Sequence, residues 1–465
     1  MRLFKMAVTI DRHNGFKPFS RSQRCKLQSY GHLDPNTLEL SQTGTFSHSF
    51  ELAFQADNIH RSFSTPCLPL STLLGEELTS HHPRVEIVRG SGAPVHALVV
   101  EVAIAMASGV QPTPLPSGLG GAYVFRNPNG NNIAVAKPID EEPLALNNPK
   151  GLGGQMLGQP GLKKSIRIGE TGIRESAAYL LDHGGLAGVP PTALVKFSHA
   201  AFFVTNNSDA ATVPSHKPKI ASLQRFVGHG FDAGELGPSF FSVSSVHQIG
   251  ILDIRILNLD RHAGNMLVVN HDHKNSFVDG VTDLVPIDHG FCLPEWLDDP
   301  YFEWLHWPQA SIPFSDSELE YISKLDPFKD AEILRTKLPL LRECSIRVLF
   351  VCTILLKQAA AAGLCLAEIG QMMTRKFRGG EELPSEMEKV CLKVKASIIF
   401  PRENCKETEQ GSKCEVGGIS LGDLNQGEWE AFLDIFSELL HGVFEEKKVQ
   451  KHKLEHHGSY RTLGR

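Results

Sequence analysis

Two short runs constrain this chain more than any other feature. One is Leu-Asp-Arg-His-Ala-Gly-Asn at 259–265, and the other is Ile-Asp-His-Gly at 287–290. Asp260 precedes Asn265 by five positions and Asp288 by 28 positions. Phosphoryl transfer requires an acid that accepts a hydroxyl proton, together with oxygen ligands for Mg²⁺, and these three residues could supply both. A solvated loop followed by a turn rich in Asp and Gly would account for the same residues, so other segments must decide.

The residues after Asn265 and before Asp288 predict two short strands. Met266–Val269 and Leu284–Ile287 are apolar, and the polar residues 270–275 separate them as a turn. We expect the pairing of these strands to bring Asn265 and Asp288 together.

A glycine-rich segment predicts a loop that covers phosphate groups. Its residues are Ser117, Gly118, Leu119, Gly120, Gly121 and Ala122. It runs into a predicted hairpin, with strands at 122–126 and 132–137 and an Asn129-Gly130 turn. Glycine lets backbone N–H groups approach phosphate oxygens without a Cβ in the way. Lys137 ends the second strand, where it can pair with the α- and β-phosphates.

A helix predicted at 173–182 offers a carboxylate to hold Lys137. Glu175 lies inside this helix and is the expected partner of Lys137. Glu170 is the alternative, although an acid near a helix N-terminus is also favourable on its own. Further along, Ala221–Val227 reads as a strand that leaves into a glycine turn.

Together these motifs resemble the phosphatidylinositol 3-/4-kinase superfamily, whose catalytic loop reads Asp-Arg-His-x-x-Asn where protein kinases have His-Arg-Asp. The chain is more similar still to the plant gamma group of type II-like phosphatidylinositol 4-kinases. That similarity runs through residues 140–143, 147–151, 158–161, 169–172, 189–195, 250–255 and 299–310. The resemblance implies an α+β fold of the two-lobed, protein-kinase-like type, with a β-rich N-lobe and a mainly helical C-lobe. It also implies ATP as the phosphate donor with Mg²⁺, or with Mn²⁺ in its place.

The same resemblance implies which residues form the site. The catalytic residues are Asp260, Arg261, His262 and Asn265, and the metal ligands are Asn265 and Asp288. The nucleotide-binding residues are Ser117 to Ala122, Lys137, Glu175, the hinge residues Gln224, Arg225, Phe226 and Val227, and Asp288. The chain departs from the animal type II enzymes at Leu144–Ile168, which lacks the cysteines of their palmitoylation segment. No ubiquitin-like repeat of the gamma group is recognisable near the N-terminus.

Composition narrows the class of protein. A formal net charge of −6 and a sequence pI of about 6.4 argue against a nucleic-acid-binding protein. Nine cysteines, an odd number, are typical of reduced thiols in the cytosol. No segment predicts a transmembrane helix, since the apolar run Val348–Ala367 is interrupted by Lys357 and reads as a buried helix. We therefore expect a cytoplasmic protein that can be peripheral at membranes.

Three regions are predicted along the chain. Residues 1–109 form a basic, loosely ordered N-terminal region and linker, 110–400 the catalytic domain, and 401–465 a loop, an amphipathic helix and a charged tail. Residues 1–33 carry seven Lys or Arg against the single acid Asp11. Anionic lipid could attract this basic arm. A disordered, solvated tail accounts for the charge better, and an organelle transit peptide is the third alternative.

The acceptor of the phosphoryl group is left open by the sequence. Trp296, Trp304 and Trp307 follow Asp288, and tryptophan favours the membrane–water interface, which fits phosphatidylinositol at a membrane surface. Packing of these rings on the C-lobe fits equally well. Residues 291–314 contain no Lys or Arg, so a lipid acceptor is expected to be unphosphorylated phosphatidylinositol. The alternatives are a Ser/Thr protein kinase on the same fold and a catalytically silent binding module.

Overall fold

The computed structural model describes residues 83–198, 200, 202, 218–269, 282–378, 381–399 and 418–459, with the side chains of 399 and 446–459 left aside. The chain forms two compact units. Unit 1 holds the described residues up to Leu180 together with 189–232 and 286–290. Unit 2 holds 181–188, 233–285 and the residues from Phe291 onward. Sheet dominates unit 1 and helix dominates unit 2, and the predicted α+β class is confirmed.

Unit 1 is built on a six-stranded antiparallel sheet. Its strands are β1 (Arg84–Arg89), β2 (Thr113–Pro114), β3 (Tyr123–Arg126), β4 (Asn132–Pro138), β5 (Thr192–Ser198) and β6 (Lys219–Arg225), in the spatial order β1-β5-β6-β4-β3-β2. A short strand, β7 (Phe231–Asp232), follows β6. The predicted hairpin of β3 and β4 is confirmed, and Gly130 adopts a φ of 85° in its turn, where a Cβ would be strained.

Helix α1 (Ala93–Ala107) packs on this sheet and corrects the predicted linker. Val95, Leu98 and Val102 are fully buried in a cluster with strand residues such as Phe125. Residues 84–107 therefore belong to the folded unit. Helix α1 carries apolar residues on nearly every side. Its sequence therefore lacks the alternation of apolar and polar residues, at the helical period, that would predict an amphipathic helix. Residues 1–82, including the basic arm, lie outside the described residues, and the boundary near 400 stays a prediction.

A long irregular segment joins β4 to helix α2 (Thr171–Leu181). It starts with a 3₁₀ turn at Ile139–Glu141 and is braced by two isolated bridges, Ala145 to Gln155 and Pro160 to Arg167. Helix α2 matches the helix predicted at 173–182 to within two residues.

Unit 2 is mainly helical. Its helices are α3 (Val243–Arg255), α4 (Asp316–Lys324), α5 (Pro327–Lys337), α6 (Glu343–Ala361), α7 (Leu366–Met373), α8 (Glu386–Ile399) and α9 (Gln426–Ser459). Its strands β8 (Met266–Val269) and β9 (Asp283–Pro286) are neighbours in one sheet. Two further pairs join β10 (Trp296–Leu297) to β13 (Ile419–Ser420), and β11 (Lys376–Arg378) to β12 (Glu381–Leu383).

Helices α6 and α9 form much of the core of unit 2. Among the described helices, only α6 is long and apolar enough to cross a membrane, and 72% of its apolar window is buried inside the protein. This agrees with the predicted buried helix. The amphipathic helix predicted after residue 401 is α9, and its apolar face packs in the same core through Trp429, Phe432 and Phe436.

Two segments of unit 2 differ from expectation. Apolar residues at helical spacing predict a helix over Leu366–Arg378. The helix ends at Met373, because the backbone N–H of Arg375 turns to Oδ1 of Asp299 and its side chain binds Glu388. Residues 376–378 then form β11. Helix α8 was not predicted. The turn predicted at 270–275 lies outside the described residues. So does most of the loop predicted at the start of 401–465.

Candidate active site

In unit 1, Lys137 lies between two carboxylates. Its Nζ is 2.8 Å from Oε1 of Glu175 and 2.8 Å from Oδ1 of Asp288. Burial alone would lower the pKa of Lys137, but the two carboxylates outweigh this effect and raise it above its ordinary value. Lys137 is therefore a cation at neutral pH, and an ammonium group has a third N–H that can reach a phosphate oxygen. The predicted contact between Lys137 and Glu175 is confirmed.

Glu175 is buried on α2 and connects Lys137 to the Asp288 segment. Its Oε2 accepts the backbone N–H of His289 at 3.1 Å. Burial raises the pKa of Glu175, an effect that Lys137 opposes and Asp288 strengthens. The alternative partner, Glu170, instead forms a buried ion pair with Arg174 at 2.8 Å.

The backbone conformations around Asp288 suit the residues found there. Asp288 has a φ of 55°, in the left-handed region that Asp tolerates better than most side chains. Its side chain is 49% exposed, although it contacts Lys137. Two residues later, a Cβ at Gly290 would lie 3.0 Å from Cβ of Thr171, so glycine permits the close approach to α2.

The glycine-rich segment forms a closed loop, but one of its N–H groups has another role than predicted. The N–H of Leu115 donates to the carbonyl of Ala122 at 2.8 Å and closes the loop. The N–H of Gly121 donates to the carbonyl of Glu141 at 2.9 Å. This corrects the expectation that the Gly121 N–H faces phosphate. Gly118 has a φ of 82° with open space where a Cβ would be.

Residues of the segment after β4 hold the same loop from its carbonyl side. Nδ2 of Asn148 donates to the carbonyl of Leu119 at 2.8 Å. Nζ of Lys150 donates to the carbonyls of Leu115 and Pro116 at 2.9 and 3.0 Å. The backbone of the predicted phosphate cover is therefore fixed by side chains that the sequence did not single out.

Glu142 binds the start of the helix that carries Glu175. Its Oε2 accepts the N–H of Gly169 at 2.7 Å, and its Oε1 accepts both the N–H and the hydroxyl of Thr171, at 3.1 and 2.6 Å. Burial raises the pKa of Glu142 to about 7, although these hydrogen bonds oppose the rise. Sequence reasoning missed this role, because an acid 29 positions before Thr171 gives no local capping signal.

The predicted hinge, Gln224 to Val227, is more constrained than the sequence suggested. The N–H of Phe226 donates to the carbonyl of Ile133 at 3.0 Å, so this group serves the sheet. The side chain of Arg225 forms two hydrogen bonds with Glu101 of α1, and Gln224 donates to Thr192. The carbonyl of Val227 lies 2.8 Å from Nδ1 of His229. The N–H of Phe226 is thus already paired within the sheet.

In unit 2, Asp260 and Asn265 belong to one tightly bonded loop after α3. Nδ2 of Asn265 donates to the carbonyl of Asp260 at 3.0 Å. Nη1 of Arg261 donates to the carbonyl of Asn265 at 2.7 Å. The hydrogen bond from Nδ2 fixes the orientation of the Asn265 side chain. Its Oδ1 is the atom of a type that can bind a metal. The Asp260 residue is partly exposed, as a proton acceptor must be.

Arg261 is corrected as a catalytic residue. Its side chain is fully buried, and its Nε lies 3.0 Å from Oδ2 of Asp253. A buried, paired guanidinium cannot contact a substrate, so Arg261 supports the loop from inside. His262 is half-buried, and its ring is 3.2 Å from the position of a Cβ at Gly264.

Comparison with known proteins agrees with these motifs. Residues 118–369, more than half of the chain, match the phosphatidylinositol 3- and 4-kinase family. The chain belongs to this family. It is 62% identical to phosphatidylinositol 4-kinase gamma 1 of Arabidopsis thaliana over 401 residues, which cover 85% of this chain and 70% of that protein. It is 59% identical to phosphatidylinositol 4-kinase gamma 8 over 404 residues, 85% of this chain and 73% of that protein.

A more distant relative covers less of the chain. Phosphatidylinositol 4-kinase gamma 3 of Arabidopsis thaliana is 42% identical over 325 residues, which are 67% of this chain and 54% of that protein. All three matches agree with the family assignment.

Kinases of this family use ATP and a divalent metal, and the donor set of the chain fits such a metal. Among the described residues, no group of three or more His, Cys, Asp or Glu could hold an ion by itself. Mg²⁺ does not need one, since it binds through one or two carboxylates, phosphate oxygens and water. Within unit 2 the amide oxygen of Asn265, and within unit 1 the half-exposed carboxylate of Asp288, are each an oxygen donor of the type that Mg²⁺ binds.

Two of the three tryptophans after Asp288, Trp304 and Trp307, are packed inside unit 2 of this kinase and are not exposed at its surface. Trp304 is fully buried and Trp307 nearly so. Trp304 stacks on Phe302 with ring centroids 4.6 Å apart, and its indole N–H donates to Asp253 at 3.0 Å. Packing within unit 2 therefore explains these two rings. The acids of the segment also have partners, as Glu295 pairs with Arg342 at 3.0 Å.

Proposed function

We propose that this chain transfers the γ-phosphoryl group of ATP to the 4-hydroxyl of phosphatidylinositol. The observation that carries the proposal is the charged cluster of Lys137, Glu175 and Asp288, in a chain 62% identical to a protein named phosphatidylinositol 4-kinase gamma 1. The position of the hydroxyl rests on the names of the relatives, because the cluster itself acts on ATP and not on the acceptor.

Each residue has a role that follows from its chemistry. Asp260 accepts the proton of the inositol hydroxyl as its oxygen bonds to the γ-phosphorus and ADP leaves. Asn265 and Asp288 ligate Mg²⁺, or Mn²⁺ in its place, and Lys137 balances the charge of the α- and β-phosphates. Glu175 holds Lys137. The loop of residues 117–122 covers the phosphates, and residues 224–227 border the adenine.

The acceptor is proposed to be unphosphorylated phosphatidylinositol at a cytoplasmic membrane surface. Residues 291–314 contain no Lys or Arg, whereas a head group with extra phosphates would call for basic clamps. The same absence suits a basic protein segment, so a Ser/Thr protein kinase is the second candidate. A silent binding module is the third, and it is disfavoured because Lys137 is fixed between its two carboxylates.

The test is a phosphate-transfer assay that offers both acceptors at once. The purified chain is incubated with labelled ATP, Mg²⁺ or Mn²⁺, phosphatidylinositol vesicles and a basic protein. Asp260→Asn serves as the inactive variant. Asp434→Asn is its matched control, since Asp434 is an exposed carboxylate on α9. The labelled lipid is then separated by the position of its new phosphate.

Label in phosphatidylinositol 4-phosphate that Asp260→Asn loses and Asp434→Asn keeps is the expected result. Label in protein alone supports the second candidate and overturns the first. Absence of label from both acceptors with either metal identifies the chain as a binding module.

A further inference from the structure

A buried carboxylate on the last turn of α3, Asp253, gathers three side-chain donors. Its Oδ1 accepts Nδ2 of Asn258 at 2.8 Å. Nε of Arg261 lies 3.1 Å from Oδ1 and 3.0 Å from Oδ2, and the indole N–H of Trp304 donates to Oδ2 at 3.0 Å. Asp253 has no exposed surface, and a charge in such a position is retained only when partners surround it.

Two of these donor residues also bond to the backbone at the two ends of the loop from Asp260 to Asn265. Oδ1 of Asn258 accepts the N–H of Asp260 at 3.0 Å. Arg261 follows Asp260 directly, and its Nη1 donates to the carbonyl of Asn265 at 2.7 Å. The side chain of Asp253 therefore fixes, through one residue in each case, the start and the end of the loop from Asp260 to Asn265.

The third donor, Trp304, belongs to the segment that follows Asp288, and backbone bonds reinforce this connection. The N–H of Arg261 donates to the carbonyl of Tyr301 at 3.0 Å, and the N–H of Glu303 donates to the carbonyl of Arg261 at 2.9 Å. Residues 301–304 and the Asp260 loop thus share one hydrogen-bonded cluster, with Asp253 at its centre.

We propose that Asp253 is the positioning residue for Asp260 and couples the orientation of Asp260 to the arrangement of residues 301–304. The inference rests on the proposed function only in naming Asp260 as the proton acceptor. Asp253 itself touches no reacting atom. Its carboxylate keeps Asn258, Arg261 and Trp304 in one arrangement, so a change at Trp304 reaches Asp260 through Asp253.

The first test compares Asp253→Asn with a matched variant, Asp330→Asn. Asp330 is also a buried acid of unit 2 that pairs with a buried arginine, Arg255, at 2.8 Å, and it contacts His183 rather than the Asp260 loop. Both variants should lower the melting temperature to a similar degree. Only Asp253→Asn should lower kcat, by roughly 10- to 100-fold, with the KM for ATP nearly unchanged.

The second test does not depend on catalysis. Amide hydrogen exchange at Asp260, Arg261 and Glu303 should accelerate in Asp253→Asn and stay as in the wild type in Asp330→Asn. Trp304→Phe keeps an aromatic ring but removes the donor to Asp253, and should give a smaller change of the same kind. This milder variant is the readout if Asp253→Asn fails to fold.

The outcomes separate the inference from the proposed function. If the wild type transfers no phosphate, the proposed function fails. The positioning role of Asp253 is then tested by the amide exchange rates alone. Equal kcat losses in Asp253→Asn and Asp330→Asn, with unchanged exchange at Asp260 in both, would overturn the positioning role. An effect of Trp304→Phe on kcat that disappears when Asp253 is already Asn would support the coupling.

Discussion

The Cβ of Glu141 lies 2.8 Å from the position that a Cβ at Gly121 would occupy. Glu141 is itself fully buried, accepts the hydroxyl of Tyr123 at 2.7 Å and forms an ion pair with Lys219. The carboxylate therefore cannot move away from a larger residue at 121 without breaking buried polar contacts. Packing alone therefore requires glycine at this position.

Gly121→Ala is accordingly expected to destabilise unit 1 by about 1–3 kcal/mol, the usual range for overpacking. Gly442→Ala is the control, because nothing lies within 4 Å of a Cβ at that position of α9, and alanine there should raise stability slightly. Chemical denaturation measures both. A Gly121→Ala protein as stable as the wild type would show that Glu141 can move away from the added methyl group without loss of stability.

Glu175→Gln should lower kcat/KM for ATP by roughly 10- to 100-fold, the effect of losing one charge-assisted bond to Lys137. Glu170→Gln should leave kcat/KM unchanged while lowering stability by about 3 kcal/mol, since it removes the charge that pairs with the buried guanidinium of Arg174 at 2.8 Å. Steady-state kinetics and denaturation together distinguish the two acids. The reverse pattern would make Glu170 the residue that matters for ATP.

Glu142 should make the stability of unit 1 depend on pH. Its pKa is about 7 in the folded protein, against an ordinary value of 4.5. The folded state thus favours the protonated form of Glu142. The stabilisation that this preference gives to the folded state is fully present below pH 4.5 and is lost as the pH rises through 7. The loss is on the order of 3 kcal/mol.

Denaturation of the wild type and Glu142→Gln between pH 4.5 and 8 tests this expectation. The wild type should lose stability relative to the variant as the pH rises, whereas Glu438→Gln, at an exposed position of α9, should run parallel to the wild type. A constant difference between wild type and Glu142→Gln across this range would contradict the assigned pKa.

Two valines on α1 test whether this helix belongs to the core of unit 1. Val102 is 0% exposed and Val100 is 41% exposed. Val102→Ala should lower the free energy of unfolding by about 2 kcal/mol, from lost burial and the remaining cavity. Val100→Ala should change it by less than about 0.5 kcal/mol. Equal effects would mean that α1 does not pack as described.

Much of the candidate site could be predicted because its chemistry is local in the sequence. The spacing of Asp260 and Asn265, the hairpin before Lys137 and the helix around Glu175 each depend on neighbouring residues, and all of these elements are present. The roles of Asp253 and Glu142 could not be predicted. Each acts through contacts far along the chain, such as Asp253 with Trp304 and Glu142 with Thr171, and a single sequence contains no signal for such contacts.

Two errors have the same physical origin. Ser, Thr, Pro and Gly punctuate residues 34–110 and predict a linker there, but residues 84–107 are folded because β1 pairs with β5 and α1 buries its apolar side chains. The resemblance of the motif implies a catalytic role for Arg261, whereas its side chain is fully buried and paired with Asp253. Both positions are decided by burial, which depends on the whole fold.

The three hydrogen bonds of Glu142 to Gly169 and Thr171 have a consequence for how such a chain can vary. They close the base of the irregular segment, so residues 143–168 leave and return to the folded unit at one point. Lys137 lies just before this closure and Glu175 just after it. Additional residues beyond Lys150 would therefore lengthen an excursion without altering the separation of Lys137 and Glu175, at an entropic cost that grows only slowly with length. The segment is a natural place for relatives to differ in length while keeping the same charged cluster.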